Sequence, residues 1–116
     1  MVLLAQLQPA SAQNEIAPVL RGRALEIVDS QGRPRATIVT HGPTTVDNVK
    51  YPEAVVFRLI APNGGPYVKM DTSEEGAGLG ITDPSEQGGL RLMSKSRTGT
   101  FIQVTDRTGA KQIIKP

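Results

Sequence analysis

The only histidine, His41, lies in the stretch "THGPT", and the nearest carboxylate along the chain is Asp47. A general base or a metal ligand needs partners that orient it, and a lone imidazole without cysteine or a close acid lacks them. His41 therefore reads as a solvated loop residue. The absence of cysteine removes disulfides, thiolate metal sites and cysteine nucleophiles together. Three aspartates, Asp29, Asp83 and Asp106, recur at one place in a repeating pattern. Calcium requires about six to eight oxygens, and these carboxylates lack the dense D-x-D-x-D spacing that gathers them. Turn capping accounts for each, and Asp29, Gly32, Asp106 and Gly109 are expected to be structural turn residues. The acidic link with Asp71, Glu74 and Glu75 is a better cation candidate, but reads as a charged, solvated connection. For anions, "SKSRTGT" places Lys95 and Arg97 among hydroxyls around Gly99, which makes that pair a weak anion-site candidate. It is not a Walker sequence, and no helix follows to lend its dipole. Arg21, Arg23, Arg33 and Arg35 could touch a phosphate backbone, but single-strand binding also wants aromatic platforms, and Tyr51, Phe57, Tyr67 and Phe101 are the only aromatics. Nucleic acid is not an expected partner. No catalytic, cofactor-binding or metal-ligating residue is expected, and the chain reads as non-catalytic.

The elements that carry these residues must be strands. The chain has 116 residues, one domain's worth, with 12 glycines and 9 prolines, too many for a helical bundle. Aromatics make up 3%, so the core must be aliphatic. A net charge of +2 creates little steering field toward polyanions, and no apolar run approaches the ~18 residues of a membrane span.

The period is visible in "LEIVDSQGRPRATI". Counted from Leu25, offsets 0, 2, 11 and 13 hold Leu25, Ile27, Ala36 and Ile38. The same offsets from Phe57, Leu79 and Ile102 hold Phe57, Leu59, Val68 and Met70, then Leu79, Ile81, Leu90 and Leu92, then Ile102, Val104, Ile113 and Lys115. Fifteen of these sixteen positions are apolar, where 38% composition would supply about six. Offset 4 holds Asp29, Ala61, Asp83 and Asp106, and offset 7 holds Gly32, Gly64, Glu86 and Gly109. Each copy thus reads as strand, tight turn, strand, with the third expected to turn later, at Gly88 and Gly89. Alternation puts the apolar pairs on one face if each hairpin loop is even. Val28, Ile60 and Ile114 fall on the other, polar face. Leu79, Ile81, Leu90 and Leu92 are expected to be interior.

The expected fold is all-β: an antiparallel meander of about eight short strands from four hairpin repeats, rolled into a small barrel or a two-layer sandwich. An eight-strand sheet cannot leave its apolar face wet, since burying each such side chain is worth about 1.5–3 kcal/mol. Either the chain closes on itself or copies share the core as a homo-oligomer. Lys115 and Pro116 are the kind of residues that blunt a sheet edge.

Residues 1–22 read as an N-terminal tail and 23–116 as the single domain. Ala10, Ser11 and Ala12 form an A-x-A motif, which points to the remnant of an export signal and to a periplasmic or extracellular location. The basic n-region is missing and the apolar run is short, so an ordinary tail is the competing reading. The patterns "LEIVDSQGRPRATI", "GLGITD" and "VTDRTGAKQIIKP" resemble uncharacterised bacterial proteins built from L-x-L-x-D-x-x-G-x-x-R-x-x-L hairpin repeats. The resemblance covers about residues 23–116, supports the fold and brings no activity with it. The expectation is a non-catalytic structural or interaction module of unknown partner, with a small-ligand-binding β-barrel as the alternative.

Overall fold

The computed structural model describes residues 15–116. The A-x-A motif and the export reading of residues 1–12 lie outside the described residues. The order is β1 (Ala24–Val28), β2 (Pro34–His41), β3 (Thr44–Val46), β4 (Val49–Tyr51), β5 (Ala54–Leu59), β6 (Val68–Ser73), β7 (Gly76–Thr82), β8 (Gly89–Lys95), β9 (Gly99–Thr105) and β10 (Lys111–Ile114). There is no helix among the described residues, hence none long and apolar enough to cross a membrane.

Eight strands form one antiparallel sheet in the order β1-β2-β5-β6-β7-β8-β9-β10, and β3-β4 form a separate hairpin. Every large-sheet neighbour follows its predecessor directly, except where β3-β4 is inserted between β2 and β5. The excess length of the first link is therefore a hairpin. Its turn residues Asp47 and Asn48 have φ of 50° and 64°, as a two-residue connection between twisted strands demands. Within the described residues β1 pairs only with β2 and β10 only with β9, and the sheet is open.

Residues directly opposite in an antiparallel pair point to the same face. The pairings therefore define two continuous rows across the sheet. One runs Leu25, Ile38, Phe57, Met70, Leu79, Leu92, Ile102, Ile114; the other runs Ile27, Ala36, Leu59, Val68, Ile81, Leu90, Val104, Gln112. At β10 this corrects the sequence reading. Ile114 and Gln112 join the aliphatic face, while Ile113 lies opposite Gln103 on the other one. The cause is loop parity. Thr105 pairs with Lys111, so the fourth connection has five residues, Asp106–Ala110. In the first hairpin the connection between Val28 and Pro34 is also odd, but a bulge beside Ile27 restores the even count and keeps Ala36 opposite Ile27. The fourth hairpin has no such bulge, so its second strand is turned over.

The turns inside the four repeats, β1-β2, β5-β6, β7-β8 and β9-β10, lie at one end of the sheet, and the β6-β7 and β8-β9 turns lie at the other. In each repeat turn, the amide of the fourth residue bonds back to the first carbonyl: Gly32 to Asp29 (2.9 Å), Gly64 to Ala61 (2.9 Å), Glu86 to Asp83 (3.0 Å) and Gly109 to Asp106 (3.0 Å). Those four residues have φ of 78°, 88°, 62° and 90°. The third turn thus starts at Asp83 and takes its left-handed residue at Glu86. It closes one residue later than its counterparts, where Asp83 N–H donates to Gly88 O (3.3 Å).

The sheet is a single layer. Val56, 7% exposed, is the one buried large hydrophobic side chain among the described residues. Leu79 and Leu90 are half-buried, whereas Ile81 and Leu92, also expected inside, are exposed in the single chain at 41% and 37%. The radius of gyration is 18.8 Å, against ~13 Å for a compact chain of about 100 residues.

Candidate interaction face

The two aliphatic rows contain fifteen apolar side chains and Gln112, with no charged residue. Many stand open to solvent: Leu25 and Ile27 at 53%, Val104 at 48%, Ile114 at 64%. Toward the link end, a third row on the same face runs Thr40, Val55, Thr72, Ala77, Ser94, Thr100. Alternating hydroxyls there give the apolar strip a polar margin, and Ser94 and Thr100 hydroxyls bond to each other at 3.0 Å. Near β10 the face dips into an open apolar groove of about 660 Å³, floored by Leu79, Leu92, Ile102 and Ile114.

The opposite face is charged. One of its rows runs Glu26, Thr37, Arg58, Lys69, Gly80, Arg91, Gln103, Ile113. Arg58 and Lys69 sit directly opposite each other, an arrangement that destabilises a strand pair. Neither has an ion-pair partner among the described residues. The neighbouring row carries the small packed cluster. Met93 Sδ lies where a Cβ on Gly78 would fall within 2.7 Å, Val56 is two strands away, and Arg91 stacks on Phe101 at 5.8 Å.

The turn residues act on their own turns. Asp29 Oδ1 accepts from the Gln31 (2.9 Å) and Arg33 (3.1 Å) amides, and Oδ2 pairs with Arg33 Nε at 2.9 Å. Partial desolvation pushes the Asp29 carboxyl up, but the Arg33 and Gln31 amides and the Arg33 guanidinium outweigh it and leave the pKa lowered. Asp106 Oδ1 accepts from the Thr108 hydroxyl (2.6 Å), the Thr108 amide (2.8 Å) and the Ala110 amide (3.1 Å), which lowers its pKa. Asp83 is lowered first by the Ser85 hydroxyl and further by Arg107, whose Nε lies 3.0 Å from Oδ2. In the second turn, where Ala61 replaces aspartate, Asn63 Oδ1 accepts the Gly65 amide at 2.9 Å instead.

At the link end, the anion-site candidates are already engaged by acids. Lys95 Nζ lies 2.5 Å from Asp71 Oδ2. Arg97 Nη2 donates to Glu75 Oε2 (2.6 Å) and to the Lys50 carbonyl (2.6 Å), and its guanidinium stacks on Tyr51 at 4.9 Å. The Arg97 bond holds the Glu75 carboxyl below the ordinary range, and Glu75 in turn raises Arg97. Arg97 thereby ties the β3-β4 hairpin to the β6-β7 turn, a role its sequence context did not announce. Asp71 and Glu75 are divided between two cations, so the acidic link gathers no site with Glu74, which is exposed. Among the described residues no three His, Asp or Glu side chains converge as metal ligands do. His41 is exposed at the end of β2, opposite Ala54. The offset parity of Arg58, Lys69 and Arg91 in the sequence already assigns them to the polar face, and the register adds that they share one row.

No protein-family model, curated protein or solved structure matches the chain.

Proposed function

We propose that the protein is a non-catalytic structural or interaction module that works through its aliphatic face. One observation carries this reading: an eight-strand single-layer sheet presents two uncharged rows, up to 64% exposed at Ile114, with Val56 the one buried large hydrophobic side chain among the described residues. Monomeric soluble proteins rarely expose contiguous apolar patches beyond a few hundred Å². Two rows on eight strands span about 13 by 38 Å, roughly 500 Å², before side-chain relief is counted. The arrangement of the polar groups supports a non-catalytic role. Asp29, Asp83 and Asp106 are occupied by turn amides and hydroxyls, and Lys95 and Arg97 by carboxylates. The four shared turn geometries support reading the chain as a hairpin-repeat protein of the kind its sequence resembles.

A second reading, a small-ligand binder, has the groove at Leu79, Leu92, Ile102 and Ile114 in its favour. Closure of β1 against β10 would turn that groove into a barrel interior. The test compares Ile102→Lys with Gln103→Lys, adjacent residues on opposite faces, by size-exclusion elution and apolar-dye fluorescence. Ile102→Lys is expected to change one or both, and Gln103→Lys neither. Equal responses would overturn the assignment of the working face.

A further inference from the structure

We infer that the aliphatic face is covered by the same face of a second copy, making a two-layer homodimer whose core lies between the chains. The inference rests on the reading of that face as the working surface. The two central rows contain no charge, so whatever covers them must itself be apolar, extended and about 38 Å wide, the span of eight strands. Another copy meets each requirement, with the same strand spacing and the same right-handed twist. Two such sheets pack about 10 Å apart with strands near −30°. Adding the row of Thr40, Thr72, Ser94 and Thr100, which crosses six strands, brings the face to roughly 700 Å². A stable interface takes about 800 Å² per partner, apolar at its centre and polar at its rim. The face has that size and that zoning.

Other occupants fit less well. Residues 1–14 include five large apolar side chains, Met1, Val2, Leu3, Leu4 and Leu7, against the fifteen to be covered. Extension of the sheet edge to edge would leave the face bare. It is also opposed by Lys111, Lys115 and Pro116 at the β10 edge, residues that discourage strand addition.

The full chain tests this by light scattering after size exclusion and by pulsed electron–electron distance measurement on nitroxides. The chain lacks cysteine, so single labels at Thr72→Cys and Lys69→Cys are unambiguous. Both sites are on β6, Thr72 with the aliphatic face and Lys69 with the charged one. The expected result is a mass about twice 12.4 kDa, with the Thr72 pair closer than the Lys69 pair. A dimer or larger species in which the Lys69 pair is as close as the Thr72 pair would overturn face-to-face packing. So would a mass of 12.4 kDa at every concentration. An apolar dye then separates the two failures. A monomer that binds the dye sinks only the dimer, whereas a monomer that excludes it has covered the face within one chain and sinks the interaction-face reading as well.

Discussion

Glu86→Gly is expected to stabilise the protein. The fourth residue of each of the four repeat turns is left-handed, and three of the four are glycine: Gly32, Gly64 and Gly109, against Glu86 at φ 62°. An L side chain in that region costs about 1–2 kcal/mol, because Cβ crowds the following carbonyl. Glycine gives back about 0.4–1 kcal/mol through the greater freedom of the unfolded chain. The net gain is about 0–1.6 kcal/mol, centred near 0.8, with no compensating loss in sight: Glu86 is exposed, and its carboxylate forms no ion pair among the described residues. The reciprocal change isolates the same quantity. A Cβ added at Gly109, φ 90°, would meet nothing within 4 Å, so Gly109→Ala costs only the conformational penalty, about 1 kcal/mol. Urea unfolding followed by circular dichroism, at one fixed protein concentration so that association does not shift the midpoint, reads both. A shift of 1 kcal/mol also moves the melting temperature by about 4–8 °C at this size. A destabilised Glu86→Gly beside a destabilised Gly109→Ala would show that the Glu86 side chain does something the geometry does not reveal. No effect at either site would refute the strain argument altogether.

Ile81→Ala removes an aliphatic side chain from the middle of the face, and if that face is covered it should cost about 2–5 kcal/mol, against under ~1 for Thr82→Ala; equal costs would contradict the row assignment. Lys69→Thr relieves the like-charge contact with Arg58 and should stabilise by about 0.2–1 kcal/mol, a gain that shrinks as salt is added. Arg97→Ala should raise amide exchange in β3-β4 while leaving the large sheet protected, and uniform loss of protection would show that the hairpin is not a separate unit. Because the folded pKa values of Asp29, Asp83 and Asp106 are lowered, their contribution is present above the ordinary carboxylate range and is lost as pH falls through the folded values. Gly32 and Gly109 amides should therefore lose protection on acidification before Gly65, whose partner Asn63 does not titrate.

The meander was legible because offset-2 pairs recur at a fixed distance from a turn, as Leu25 and Ile27 do from Asp29 and Gly32, and short-range turn chemistry needs nothing beyond its own residues. What depends on a count across a loop was not. Ile113 and Ile114 are both apolar, and only the odd Asp106–Ala110 connection without a bulge decides which one joins Ile102. Cross-strand neighbours were hidden for the same reason: Arg58 and Lys69 meet only once the register of β5 and β6 is known. Arg97 escaped because its partners, Glu75 and the Lys50 carbonyl, are 22 and 47 residues away, one in the β6-β7 turn and the other in β4. Whether the layer is single or double lies further still from local pattern, since the same alternation serves an open sheet, a barrel and half of a sandwich.

The scarcity of aromatics follows from this division of the sheet. A chain that must fill a closed interior by itself gains from Phe, Tyr or Trp, each of which buries about 150–250 Å². Here the aliphatic rows use Phe57 alone, and apart from Gln112 the rest are Leu, Ile, Val, Met and Ala, whose low and even relief suits contact between two twisted layers. Phe101, by contrast, lies on the charged face beneath Arg91 and directly opposite Met93, whose sulfur packs over Gly78. That cluster packs against the sheet's own backbone, where glycines make room, and needs no second layer. Among the described residues the aliphatic face has no comparable internal partner. Phe101 thus sits where the chain covers it with its own Arg91, whereas Phe57 shares the aliphatic face that we propose a second copy covers.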